Sequence, residues 1–200
     1  SGAPTFGTPE STLATLAVGQ MARRLGLPFR AGGHYTASKV TDAQAMQESA
    51  DSMFPAFLAG ANFIHQAAGW LEGGLVVGYE KFILDSDRLG MMHRMGDGMV
   101  INENSLGFSA YMENSPGENF LGTEHTGENF ETANFRSEIA DNNSFEQWEE
   151  DGSKDAEERA YERWNTMLDE YIEPPMDSAI DEELKDFIRL KKDSMDDEWY

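Results

Sequence analysis

The chain has 200 residues, 40% of them hydrophobic and 11% aromatic, enough for a packed core. Its 37 Asp and Glu against 15 Lys and Arg give a formal charge of −22, which repels phosphate backbones, makes nucleic acid a poor partner and attracts small cations. There is no cysteine, which removes disulfides, thiolate nucleophiles and thiolate metal sites.

The acid excess also has a plainer reading, solubility, which accounts for most strongly charged surfaces. No apolar run is long enough to cross a bilayer and no signal peptide is visible, so a cytoplasmic protein is expected. Ser1-Gly2-Ala3-Pro4 opens the chain without Met and reads as the interior of a longer protein.

Thr8 and Pro9 read as a helix N-cap and first turn. Leu13, Leu16, Ala17, Met21 and Leu25 follow with helical spacing, and Gly26 ends that helix. Leu27 to Ala31 reads as a strand closed by Gly32-Gly33. Thr41 and Gln44 predict a capping box for a second helix with Met46, Ala50, Met53, Phe54 and Phe57 inward. Asn62 to Gln66 is the next strand candidate, and Ala67 to Gly74 a loop of small residues. Leu75, Tyr79, Phe82 and Ile83 mark a third helix running toward Gly96.

Strands separated by helices predict βαβ units and a parallel sheet, in an α/β fold that is either doubly wound or part of an eight-stranded barrel. Residues 1–145 form this α/β part. Residues 146–200 read as an acidic helical segment. Ala160, Trp164, Met167, Leu168 and Tyr171 form one apolar face there, and Pro174-Pro175 is a break. Ser178 caps a last helix with Ile180, Leu184, Phe187 and Ile188 inward, and the tail from Asp193 to Tyr200 frays.

No P-loop, dinucleotide fingerprint or nucleophile elbow is present. The four histidines make no H-x-x-x-H pair, so no metal is expected in this chain. What remains are loops at strand C-terminal ends, where α/β folds bind ligands. One carries His34, Tyr35, Ser38 and Lys39; another carries Trp70, Glu72 and the adjoining glycines; a third cluster holds Glu124, His125, Asn129, Phe130 and Glu131.

Tyr35, Trp70 and Tyr79 offer ring faces to a methylated ammonium ion, with Glu72 or Glu80 as counter-charge. Each of these aromatics is, taken singly, more often a packing residue. His65 reads as a core histidine, His93 as a surface one, and Lys39 most simply as a solvated loop lysine.

Taken together these segments resemble the trimethylamine methyltransferase family. The resemblance rests on Ser1 to Glu10, on Leu25 to Arg30 with Gly32-Gly33, and on Asp42-Ala43-Gln44 with Glu48-Ser49-Ala50. It continues through Ala59 to Asn62, Ala67 to Gly74, Tyr79 to Phe82, Leu89 to Met92, Phe120-Leu121-Gly122, His125-Thr126 and Asn129-Phe130.

The resemblance implies a (β/α)8 TIM-type barrel enzyme that moves a methyl group from a tertiary or quaternary amine to the cobalt of a separate corrinoid protein. It implies that this chain supplies the last three or four βα units and the C-terminal helices, with open edges that invite a homo-oligomer. Family members acting on trimethylamine carry pyrrolysine. Lys39 lies in the loop where its equivalent is sought, and an ordinary lysine there favours a quaternary amine such as glycine betaine.

On this reading His34, Glu72 and His125 are catalytic. Tyr35, Lys39, Trp70, Tyr79, Glu80 and Asn129 bind the amine. A non-catalytic module for methylated amines, or a vestigial fragment, are the alternatives.

Overall fold

Pro9 at the first helical position and Gly26 in the left-handed conformation (φ 64°) bound the first helix, α1 (Pro9–Leu25), in a computed structural model that describes residues 5–195. Ser1 to Pro4, and most of the tail expected to fray, lie outside the described residues. α1 packs through its small residues. A Cβ on Gly19 would lie 2.8 Å from Ala59 Cβ, Thr12 Oγ1 donates to the Asp51 carbonyl at 3.1 Å, and Arg23 donates to the Ala59 carbonyl. The stripe expected to be buried is turned the other way: Leu13, Met21 and Leu25 are exposed. Close approach of two helix backbones favours the smallest side chains, and apolar spacing alone did not reveal that.

β1 (Arg30–Gly32) leads to α2 (Ala43–Leu58) and β2 (Phe63–His65), and the two strands pair in parallel with Arg30 opposite Phe63 and Gly32 opposite His65. This is the expected βαβ unit. Asn62 ties the strand starts together: its amide donates to the Phe29 carbonyl and its side-chain oxygen accepts from the Phe29 amide, each at 2.8 Å. Asp42, not Thr41, caps α2, accepting the Ala45 amide at 2.9 Å.

Ile64 and Gly33 face the Met53 side of the helix layer. By strand alternation Arg30, Gly32, Phe63 and His65 share the opposite face. His65 is therefore exposed beside Phe63, ring centroids 5.8 Å apart, and is not the core histidine expected.

The segment expected to be a plain loop contains a hairpin. β3 (Trp70–Leu71) pairs antiparallel with β4 (Val76–Val77) around a tight turn at Glu72–Gly74. α3 (Tyr79–Gly96) follows. It buries Lys81, Ile83, Asp85 and Met92, whereas Tyr79 and Phe82, which marked the helix in sequence, are exposed.

Residues 97–145 hold only short helices among the described residues: α4 (Glu103–Leu106), α5 (Phe108–Glu113) and α6 (Glu124–Asn129). Among the described residues the parallel sheet has two strands, where three or four βα units were expected.

α7 (Phe145–Glu150) and α8 (Ala156–Asp169) come next. Ala160 is fully buried in a cluster with Ile83 and Ile139, flanked by Leu84 and Trp164. The chain divides into two compact units at Asn165. The second contains the last turn of α8 and α9 (Ser178–Asp193), capped by Asp177, not Ser178, through the Ala179 and Ile180 amides. Ile180, Leu184, Phe187 and Ile188 are all exposed there; periodicity marks an apolar stripe but does not supply what packs on it. Among the described residues no helix is long and apolar enough to cross a membrane.

Candidate functional site

Four non-glycine residues have positive φ among those described: His34 (52°) and Gln66 (58°) follow the C-terminal ends of β1 and β2, and Glu72 (49°) opens the β3–β4 turn beyond β2. Left-handed conformations are costly for side chains with a Cβ, and they concentrate where function has over-determined the backbone.

The loops holding them are joined by main-chain bonds. The Glu72 amide donates to the Ser38 carbonyl at 2.7 Å and the Gly73 amide to the Thr36 carbonyl at 2.8 Å. Tyr35 donates its hydroxyl to Gln66 Oε1 at 2.6 Å, and its own amide donates to Ser52 Oγ at 2.9 Å. Glu48 on α2 holds the first loop from below, accepting Thr36 Oγ1 at 2.7 Å and the Ala37 amide at 2.8 Å. Partial burial would raise its carboxyl, but these donors together with Gln44 hold it below the ordinary value.

Under the loops lies a fully buried charged network. Lys81 and Asp85, one turn apart on α3, form an ion pair. Asp85 Oδ2 also accepts the Gly69 amide at 2.9 Å, and Lys81 Nζ donates to the His34 carbonyl at 3.4 Å. His34, equally buried, places Nδ1 2.6 Å from the Ala67 carbonyl and 3.7 Å from Asp85 Oδ1.

A carbonyl accepts, so Nδ1 carries the proton and Nε2, which has no hydrogen-bond partner among the described residues, is bare in the neutral ring. Burial pushes the His34 imidazole below its ordinary range, against the opposing pull of Asp85. Burial lowers the Lys81 ammonium too, with Asp85 again opposing.

The second loop depends on glycine at two points. A Cβ on Gly74 (φ 92°) would stand 2.4 Å from Trp70 Cζ3, and one on Gly69 (φ 87°) 2.9 Å from Val77 Cγ1. Trp70 is thereby laid over the Gly74 backbone.

The structure brings His34, Tyr35, Lys39, Trp70 and Glu72 into these two joined loops, with Lys39 exposed and donating to the Ala37 carbonyl at 2.8 Å. It places the other candidates elsewhere. Tyr79 lies 5.0 Å from the Trp164 ring, and Glu80 Oε1 accepts Trp164 Nε1 at 2.9 Å, so both hold α8 against α3. His125 Nε2 is 2.6 Å from the Asn104 carbonyl, and Asn129 exchanges amide bonds with Asn104 at 2.7 and 2.9 Å, a separate knot between α4 and α6.

Sequence reasoning missed Glu48, Gln66, Lys81 and Asp85. No sequence signal marked the last two, since Lys81 and Asp85 have the spacing of an ordinary solvated i,i+4 pair. Among the described residues no group of three acids or histidines is placed to hold a metal ion.

Residues 1–196 match the sequence model of trimethylamine methyltransferase. The chain belongs to the trimethylamine methyltransferase family. It is 34% identical to a glycine betaine methyltransferase of Desulfitobacterium hafniense (strain Y51) over 188 residues, 94% of this chain and 39% of that protein. It is 29% identical to trimethylamine methyltransferase MttB of Desulfitobacterium hafniense (strain DSM 10664 / DCB-2), over 94% of this chain and 37% of that protein. It is 30% identical to MttB1 of Methanosarcina mazei, over 92% of this chain and 37% of that protein. The chain therefore spans well under half the length of the curated relatives it matches.

Proposed function

We propose that the protein carrying this chain transfers a methyl group from a quaternary or tertiary amine, with glycine betaine the first candidate, to the cobalt of a separate corrinoid protein. The observation that carries the reading is the pair of strained, mutually bonded loops at the C-terminal ends of parallel β1 and β2, in a chain of this family. On this reading the two βα units are part of a (β/α)8 barrel, whose ligands gather at that end of the strands.

The N–CH3 bond breaks with its electron pair passing to nitrogen, while cobalt(I) supplies the pair for the new cobalt–carbon bond. A quaternary amine leaves as a neutral tertiary amine and needs no proton. The protein's share is then orientation and charge stabilisation. Tyr35 and Trp70 present ring faces to the ammonium, and the Glu72 carboxylate adds counter-charge. His34, buried and neutral, acts as a positioning residue that joins the two loops, and Lys39 stands at their rim. His125 and Asn129 shape the separate α4–α6 knot.

The test is methylation of cob(I)alamin, followed by absorbance, with the full-length protein and a panel of methylated amines. Turnover of a quaternary amine, weakened by ~0.5–2 kcal/mol in binding for Tyr35→Ala, is expected. Turnover of trimethylamine alone would overturn the substrate choice. Absence of methylation from every donor by folded protein would favour the non-catalytic binding module instead.

A further inference from the structure

One cation on the sheet face beside these loops has no assigned work. Arg30 opens β1 opposite Phe63, on the face shared with Gly32 and His65. It is exposed, and it forms no ion pair among the described residues, in a chain with 37 acids. A guanidinium's planar fork of donors matches the two oxygens of a carboxylate brought by a ligand.

Its surroundings suit such a ligand. Arg30 lines a cavity of about 280 Å³ with Phe6, Gly32, Tyr35 and one acid, Asp51, which offers counter-charge to a ligand's ammonium end. The Phe6 and Tyr35 rings lie 4.6 Å apart, and Tyr35 is laid directly over Gly32, where a Cβ would meet its hydroxyl at 1.9 Å. Burial raises the Tyr35 phenol and the positive charge of Arg30 opposes this, so the guanidinium field reaches that ring.

We propose that Arg30 binds the carboxylate of a zwitterionic quaternary amine whose ammonium rests on the Tyr35 ring, the aromatic face shared with the amine site proposed above, making this residue the determinant that selects a betaine over a methylated amine without a carboxylate. The inference rests on the amine-methyl-transfer reading above.

The charge balance favours this assignment. The net field of a strongly acidic chain attracts a bare ammonium ion without further help. It does nothing for a zwitterion as a whole and repels its carboxylate. A betaine therefore requires a local cation, held on rigid secondary structure and close to the aromatic faces. Arg30 is a strand residue in register with β2 and meets that requirement.

The experiment is calorimetric titration of the full-length protein and its Arg30→Gln and Arg30→Lys variants with glycine betaine and with choline. Choline keeps the quaternary ammonium and lacks the carboxylate. Arg30→Gln should weaken glycine betaine roughly tenfold or more, the scale of a lost charged hydrogen bond. Choline should change by less than about twofold. Arg30→Lys, which keeps the charge but not the fork, should recover part of the loss.

Equal weakening of both ligands, no weakening of glycine betaine, or choline binding as tightly as glycine betaine to the unsubstituted protein would each overturn the inference. If methyl transfer to cob(I)alamin from some methylated amine continues in those cases, the broader reading stands and only the role of Arg30 falls. If no amine is a donor for the unsubstituted protein, the broader reading falls as well.

Discussion

Asp85 accepts the Gly69 amide at 2.9 Å through the same oxygen that receives the Lys81 ammonium, so one helix carboxylate anchors a strand-end loop and neutralises a buried cation at once. Both side chains are fully buried. The desolvation of two charges leaves the intact pair with little net stabilisation, but removing one partner strands the other.

The first prediction follows. Asp85→Ala should destabilise the protein by ~3–5 kcal/mol, measured by urea denaturation. The double variant Lys81→Met with Asp85→Leu should lose clearly less than the single one. A single-variant loss below ~1 kcal/mol would contradict a buried pair at this position.

The second prediction concerns pH. His34 has an ordinary value of 6.5 and is held below it in the fold by burial. Between those two values the unfolded chain binds the proton that the folded one refuses, so stability rises with pH through that window. The contribution is intact above 6.5 and is lost as pH falls from 6.5 through the lowered value. Thermal melts of the wild type and of His34→Gln, taken from neutral to mildly acidic pH, should converge in slope above the window. The wild type should fall more steeply within it. Parallel curves throughout would show that His34 charges freely in the folded state.

A third prediction separates structural from substrate aromatics. Tyr79 and Glu80 contact Trp164. Trp164→Phe removes the indole donor to Glu80 and should cost ~0.5–1.5 kcal/mol in unfolding free energy. Tyr79→Ala should leave the affinity for a methylated ammonium within about twofold, because a ring engaged elsewhere contributes no cation–π attraction. A tenfold loss of affinity in Tyr79→Ala would return that residue to the binding site.

Helix and strand placement was readable because it depends on short-range rules. Pro9 and Gly26 bounded α1 as expected, β2 lies within its predicted run, and β1 overlaps its run at Arg30 and Ala31 but extends to Gly32, read as the closing glycine. Which face each helix buries was not readable, since this depends on partners distant in sequence. Gly19 meeting Ala59 decides it for α1, and a buried Lys81–Asp85 pair decides it for α3. In sequence that pair looks like any solvated i,i+4 pair. The β3–β4 hairpin escaped because two-residue strands are too short to display alternation. His34, Tyr35, Lys39, Trp70 and Glu72 share two joined loops because the strand ends that carry them were legible in sequence. Tyr79, Glu80, His125 and Asn129 were placed with them on residue type alone, which says nothing about which neighbour a side chain meets.

The Glu72–Gly74 turn has a consequence for directed evolution. Three consecutive residues there have positive φ, of 49°, 65° and 92°, and only the first carries a side chain. No hydrogen bond or ion pair to the Glu72 carboxylate is found among the described residues. Its backbone position would suit glycine better, by an amount on the order of 1 kcal/mol. A library selected only for heat tolerance should therefore enrich glycine at this codon. On the counter-charge role proposed for Glu72, one selected for turnover should restore glutamate, and robustness and activity would pull in opposite directions at this turn.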